Sequence, residues 1–92
     1  MTPDAGADGD FHRLAMLETR LETARKVGVQ TDQAWALLLI ADLHTSADRF
    51  EDAKPVIDEA AEICKNVNDP GLTKKISLMG ARVNWFLGRG KS

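Results

Sequence analysis

The stretch from Gln33 to Val67 most constrains the fold, because it contains two consecutive apolar runs joined by a short polar connection. The first run, 34–43, would be apolar on nearly every side of a helix. The second run has apolar residues at helical spacing, at positions 50, 53, 56, 57, 60, 61, 63, 64 and 67. A helix that is apolar on several sides must be covered on several sides. We therefore expect this pair of helices to lie between a helix before it and a helix after it.

Cap and turn signals divide the chain into four predicted helices. Asp10 can cap the first helix with its carboxylate, and Gly28 can end that helix in a left-handed conformation. Thr31 or Asp32 can cap the second helix. No segment shows strand alternation, so the predicted class is all-α. The predicted helices span about 11–27, 32–46, 50–66 and 70–87.

Two prolines mark the second half of the chain. Pro55 lacks an amide hydrogen and crowds the carbonyl of Glu51, which predicts a bend in the second turn of the third helix. Asp69 followed by Pro70 places a capping carboxylate before a proline at the first helical position, where the missing amide costs nothing. The predicted organisation is a disordered leader, a helical domain and a disordered tail, at 1–9, 10–88 and 89–92.

The composition excludes several function classes. The chain has 92 residues and a formal net charge of −2, and its Lys and Arg residues are scattered. Binding to nucleic acid or to an anionic membrane surface needs clustered cations, so we expect neither. No apolar run approaches the roughly 18 residues of a membrane span, and the N-terminus has no secretory signal. The single cysteine, Cys64, excludes an internal disulfide and fits a reducing compartment. These features predict a cytoplasmic protein.

The chain repeats itself at an offset of 39 residues. Both halves then read as helix, short turn and helix. Apolar or small residues of the first half correspond to apolar or small residues 39 positions later. A constant offset with matched positions is typical of repeat architectures. The matched pairs include Leu14 and Ala53, Leu17 and Val56, Leu21 and Ala60, Leu37 and Ile76, Ile40 and Met79, and Ala41 and Gly80.

The residues that carry this repeat resemble a tetratricopeptide repeat. Ala41, and Gly80 in the next copy, match the small position of the family's first helix. Phe50 matches the aromatic that opens the second helix, and Ala53 and Ala60 match its small positions. The resemblance covers about 11–87 and implies four antiparallel helices in a segment of a right-handed α–α superhelix. The alternative fold is a plain four-helix bundle.

The chain also departs from the family pattern. Trp35 lies two places before the family's tryptophan, and His44 stands where an aromatic is usual. The period of 39 exceeds the common one and is closer to the longer variants of the family.

The two ends of the array differ in character under this register. At the offset of 39, Glu18 and Glu22 of the first helix correspond to Ile57 and Ala61 of the third helix, which we expect to face the second helix. The first helix therefore has charged residues on the side that would bury a preceding helix, as expected for the terminal cap of an array. We expect the fourth helix instead to have an apolar outer surface that no later residue of this sequence covers. Exposed apolar area of this kind marks an interaction site, with tryptophan as a favoured anchor. The predicted patch contains Leu78, Ala81, Trp85 and Leu87; the alternative is that Trp85 is buried within the monomer.

The resemblance also implies a concave groove lined by the second and fourth helices. Its aromatic, carboxylate and ammonium groups could bind a short peptide, or the face could be solvated and bind nothing. The residues expected there are Trp35, Leu38, Asp42, Thr45, Lys74, Ser77, Ala81 and Trp85.

No group of residues predicts catalysis or a cofactor. His12 and His44 have no partner at metal-ligand spacing, the helical carboxylates lack a Glu-x-x-His motif, and Cys64 reads as a core thiol. We therefore expect a non-enzymatic adaptor that binds a protein or peptide, and that forms a homodimer through the fourth helix. The alternatives are a scaffold or sensor module of a longer regulatory protein, whose next repeat would pack on the fourth helix, and an enzyme built in a helical bundle.

Overall fold

The computed structural model describes the backbone of residues 5–90 and the side chains of residues 12–88. It contains four α-helices, and the described residues include no strand, so the predicted all-α class and the number of helices are confirmed. The helices are α1 (Ala5–Val27), α2 (Gln30–Ser46), α3 (Phe50–Cys64) and α4 (Pro70–Gly90).

The terminal helices are longer than predicted. Because α1 begins at Ala5, Asp10 lies inside the helix and does not cap it. The predicted leader, 1–9, therefore overlaps α1, and the predicted tail, 89–92, overlaps the end of α4 at Gly90. Residues 1–4 and 91–92 lie outside the described part of the chain.

The junction between α1 and α2 confirms one prediction and corrects another. Gly28 has a φ of 83°, and its amide donates to the carbonyl of Ala24 at 2.8 Å, as a left-handed helix end requires. The N-cap of α2 is Val29, which makes no side-chain cap. The predicted caps, Thr31 and Asp32, lie inside the first turn, where the carboxylate of Asp32 still interacts favourably with the helix dipole.

The connection between α2 and α3 is short and hydrogen-bonded. Asp48 adopts a φ of 60°, and the amide of Arg49 donates to the carbonyl of His44 at 2.8 Å. Helix α3 then continues through Pro55, near its N-terminus. The bend expected at Pro55 stays a prediction.

Asp69 caps α4 as expected. The amide of Leu72 donates to Asp69 Oδ1 at 3.1 Å, and Pro70 is the first residue of the helix. We expect Asp69→Ala to lower the free energy of unfolding by about 1 kcal/mol, because an amide in the first turn loses its acceptor. Denaturant unfolding measures the change. Asp69→Asn, which keeps a side-chain oxygen, should recover most of it, and equal loss in both variants would contradict the cap.

Helix α2 is the centre of the packing. Its backbone approaches those of α1, α3 and α4, and α3 also packs on α4. Within the described residues, α1 approaches neither α3 nor α4 closely along the backbone. The described helices therefore form an open array, in which the first helix does not meet the last as it would in a closed bundle.

Small residues allow close contact at the centre of this array. Ala34, Ala36, Ala41, Ala53 and Ala60 are fully buried. Without larger side chains at these positions, α2 and α3 can approach each other closely.

The α3–α4 contact also depends on a small residue. A Cβ atom placed on Gly80 would lie 3.3 Å from Ile57 Cγ2, so Ile57 packs against α4. Ala61, which was expected to face α2, is exposed. The predicted orientation of Ala61 towards α2 is therefore wrong. Glu18 and Glu22 are exposed on α1.

Candidate partner-binding face

One side of α2 remains uncovered by the other helices. Trp35, Leu39 and Asp42 are spaced by four and three residues, which places them along one side of the helix. Leu39 and Asp42 are exposed and Trp35 is half-buried. We call these three residues the α2 stripe. It lies between two grooves, one against α1 and one against α4.

The α1–α2 groove is the longer of the two. It consists of a cavity of about 760 Å³ near Trp35 and a cavity of about 320 Å³ near Asp42. Met16, Arg20 and Leu39 line both cavities, so the groove is continuous. On α1 it runs from residue 13 to residue 27, which corresponds to about 21 Å at 1.5 Å per residue.

The α2–α4 groove has a volume of about 430 Å³. Its α4 wall consists of Lys75, Leu78, Met79 and Arg82, and the α2 stripe forms the opposite wall. The ammonium nitrogen of Lys75 lies 5.0 Å from the centroid of the Trp35 ring, within the range of a cation–π interaction. This contact holds the Lys75 charge at one end of the groove.

Exposed apolar side chains concentrate along these two grooves. Seven large apolar side chains are exposed among the described residues, and five of them line the grooves. Such side chains scattered singly over a surface need no explanation, whereas a cluster marks a binding site. The five are Met16, Val27, Val29, Leu39 and Leu78.

Some of the residues predicted to line a groove do line the α2–α4 groove, and others do not. Trp35 and Asp42 line the α2–α4 groove, and Leu38 lies at its buried base. Lys74 and Ser77 do not reach it, and line a separate pocket beside the N-terminus of α4. Lys75, one residue further along, supplies the ammonium group instead.

Two other predicted groove residues also lie elsewhere. The hydroxyl of Thr45 donates to the carbonyl of Asp42 at 2.9 Å, and Thr45 does not line the groove. Ala81 is exposed and lines neither groove.

The predicted patch on α4 is exposed at three of its four positions. Leu78 and Trp85 are 62% and 57% exposed, and Ala81 lies between them on the same side of the helix. Leu87 is half-buried against the hydrophobic core, so it is not part of this surface. Trp85 contacts Phe86 edge-on, with ring centroids 4.9 Å apart.

Phe86 follows Leu72, Ile76 and Val83 at helical spacing but lies outside the hydrophobic core. It is partly exposed, and its ring stacks on that of Phe50 with the centroids 4.4 Å apart. Leu72, Ile76 and Val83 are themselves buried.

The ionic groups of the protein are distributed unevenly. The four ion pairs between described residues lie away from both grooves, and join Arg25 to Glu59, Lys26 to Glu22, Lys54 to Asp58, and Lys65 to Glu62. The cations that line the grooves form no ion pair with any described residue, and are Arg13, Arg20, Lys75 and Arg82. Among the side chains that the structure describes, only two carboxylates line the grooves, those of Asp32 and Asp42.

The sequence does contain a signal for these cations. Arg13 and Arg20 are seven residues apart on α1, and Lys75 and Arg82 are seven residues apart on α4. Residues at this spacing lie on the same side of a helix, two turns apart. The pattern places two cations on one side of each helix, but it does not show that both sides border α2.

The two histidines and the cysteine lie in different environments. His44 is half-buried at the α2–α3 connection, where its Nδ1 accepts a hydrogen bond of 3.3 Å from Arg49. His12 is exposed, and Cys64 is buried in the core, as predicted. The described residues contain no group of three or more His, Cys, Asp or Glu that could hold a metal ion.

Comparison of the chain with protein-family models, curated proteins and solved structures found no match. Within the described part of the chain, none of the helices is both long enough and apolar enough to span a membrane.

Proposed function

We propose that this protein is a non-enzymatic adaptor of the cytoplasm that binds a protein partner, or a second copy of itself, through α4 and the grooves beside α2. The observation that carries the proposal is the concentration of five of the seven exposed large apolar side chains along these grooves. Burial of such side chains is the main favourable contribution to most protein association.

We also propose that the array is a segment of a tetratricopeptide-like right-handed superhelix. Some of the residue pairs related by the offset of 39 have the same burial. Leu37 and Ile76 are both buried, as are Leu21 and Ala60. The contact of α2 with α4 also supports the proposal, because these would be the first helices of consecutive repeats.

A scaffold module of a larger regulatory protein is the second candidate. The exposed side of α4 at Leu78, Ala81 and Trp85 supports it, because a following repeat would pack on this side. In that case α4 binds within its own chain, and the α1–α2 groove is the surface that remains for a separate partner.

Site-specific photo-crosslinking in cells that naturally express the protein tests the proposal. A benzophenone amino acid at position 39 should give one defined crosslinked product, because Leu39 lines both grooves. The same amino acid at Asp58, on the exposed side of α3, is the matched control and should not give that product. The product should disappear with Leu78→Glu, which places a charge in the opposite wall of the α2–α4 groove.

The mass of the product distinguishes a partner from a homodimer. A product of twice the chain mass that is lost with Trp85→Glu would assign self-association to α4. Absence of a product at position 39, or the same products at positions 39 and 58, would contradict the proposed function.

A further inference from the structure

We propose that the face formed by α1, α2 and α4 binds an acidic amphipathic helix of a partner protein. This inference rests on the proposed function and specifies the chemistry of the partner. Two features of the face support it: the charges that border the grooves, and the shape of the α1–α2 groove.

The cations that border the grooves are available for a partner. Arg13, Arg20, Lys75 and Arg82 outnumber the two groove carboxylates by two, whereas the whole chain has a net charge of −2. Elsewhere on α1 and α3, cations are paired with carboxylates of the same protein. A cationic surface on an acidic protein attracts acidic partners and repels basic ones.

The apolar side chains lie between these cations. Met16 and Leu39 line the middle of the α1–α2 groove, with Arg13 and Arg20 on the same side of α1. A matching ligand therefore has an apolar stripe with carboxylates along its edges. An amphipathic helix whose apolar face enters a groove provides this arrangement.

The groove suits a helix better than an extended peptide. Its walls are two helices, whose backbone amides and carbonyls are already used in intrahelical hydrogen bonds. An extended peptide would find no backbone partners there, while a helix satisfies its own backbone groups. The groove length of about 21 Å corresponds to about 14 helical residues.

A second copy of this chain fits the face less well. Its most acidic helix, α3, has the exposed carboxylates Glu51, Asp52, Asp58, Glu59 and Glu62. The large apolar side chains of α3 are buried or half-buried in its own core, so α3 has no apolar stripe to insert.

Nucleic acid and anionic lipid fit less well for a different reason. The apolar side chains of Met16 and Leu39 lie between the groove cations. A row of phosphates has no apolar stripe to cover these side chains, whereas an amphipathic helix has one.

Nuclear magnetic resonance with two matched peptides tests the proposal. Each peptide has about 18 residues, long enough to span the groove, with leucines at the spacing of an apolar helix face. One peptide has glutamate at the remaining positions, and its twin has lysine. The indole N–H of Trp35 reports binding to the grooves, and that of Trp85 reports binding at the outer side of α4. Trp85→Phe assigns the two signals.

We expect the glutamate peptide to shift the Trp35 signal and the Leu39 amide, with an affinity at least about tenfold higher than that of the lysine twin. Raising the salt concentration from about 50 to about 300 mM should weaken this binding, because the groove charges are partly exposed. Phosphatidylserine vesicles and a short DNA duplex are added in parallel to detect binding of phosphates by the same face.

Charge reversal provides the decisive variant. Arg20→Glu combined with Arg82→Glu should weaken binding of the glutamate peptide by about tenfold or more and should strengthen binding of the lysine twin. Far-ultraviolet circular dichroism should show that this variant keeps its helical structure. Lys26→Glu combined with Lys65→Glu makes the same change in net charge away from the grooves, and should leave both affinities unchanged within about twofold.

The outcomes separate this inference from the proposed function. If both peptides shift the Trp35 signal equally, the inference that the partner is acidic is overturned. The proposal that the groove binds a protein is then unaffected. Shifts confined to Trp85, no shift with either peptide, or shifts only with vesicles or DNA would each overturn the inference. The proposed function fails separately, through the crosslinking result at position 39.

Discussion

Leu72→Ala should lower the free energy of unfolding by about 2–5 kcal/mol. Leu72 is among the largest fully buried side chains of the described structure, at the start of the core-facing side of α4. Truncation removes apolar contacts and leaves a cavity whose walls relax only in part. Because small domains have total stabilities of about 5–15 kcal/mol, the variant should unfold at much lower denaturant concentration. Equilibrium denaturation followed by circular dichroism measures the loss.

Leu78→Ala is the matched control, because it makes the same change on the same helix. Leu78 is 62% exposed, so its truncation should change the free energy of unfolding by no more than about 0.5 kcal/mol. Similar losses in the two variants would mean that the buried side of α4 has been assigned incorrectly.

Ala60→Leu should destabilise the protein by about 1–3 kcal/mol through the opposite defect. Ala60 is completely buried at the centre of the array, where the fit of α3 depends on small side chains. A larger side chain must take a strained rotamer or force the helices apart. Thermal unfolding should show a lower midpoint, and the native near-ultraviolet circular dichroism should change as the aromatic contacts shift.

Ala61→Leu tests the same substitution one residue later. Ala61 is exposed, so we expect a change within about 0.5 kcal/mol and native spectra. If Ala61→Leu proved as damaging as Ala60→Leu, Ala61 would face another helix, as the repeat register predicted from the sequence.

The parts of the fold that local chemistry determines could be predicted from the sequence. Gly28 ends α1 and Asp69 caps α4, because each signal depends on a few neighbouring residues. The start of α1 could not be found in this way. Asp10 is a good cap by residue type, yet the helix continues through it from Ala5.

The candidate site depends on how each helix is rotated against its neighbours, and this is harder to predict. Lys74 and Lys75 are adjacent, but neighbouring residues point about 100° apart around a helix, and only Lys75 reaches Trp35. The predictions for Leu87 and Ala61 were wrong for the same reason. Leu87 packs against the core, and Ala61 faces solvent. The α1 wall of the site could not be predicted, because it requires knowing which side of α1 borders the α2 stripe.

The way in which α1 is attached links folding to recognition. Its backbone packs only against α2 within the described residues, with one ion pair from Arg25 to Glu59 as an additional side-chain tie. Opening of proteins begins where the fewest contacts must be broken. Detachment of α1 from α2 would remove the α1–α2 groove and leave the α2–α4 groove intact. A ligand that fills both grooves therefore stabilises the docked position of α1. The apparent affinity of this ligand is proportional to the fraction of molecules in which α1 is docked.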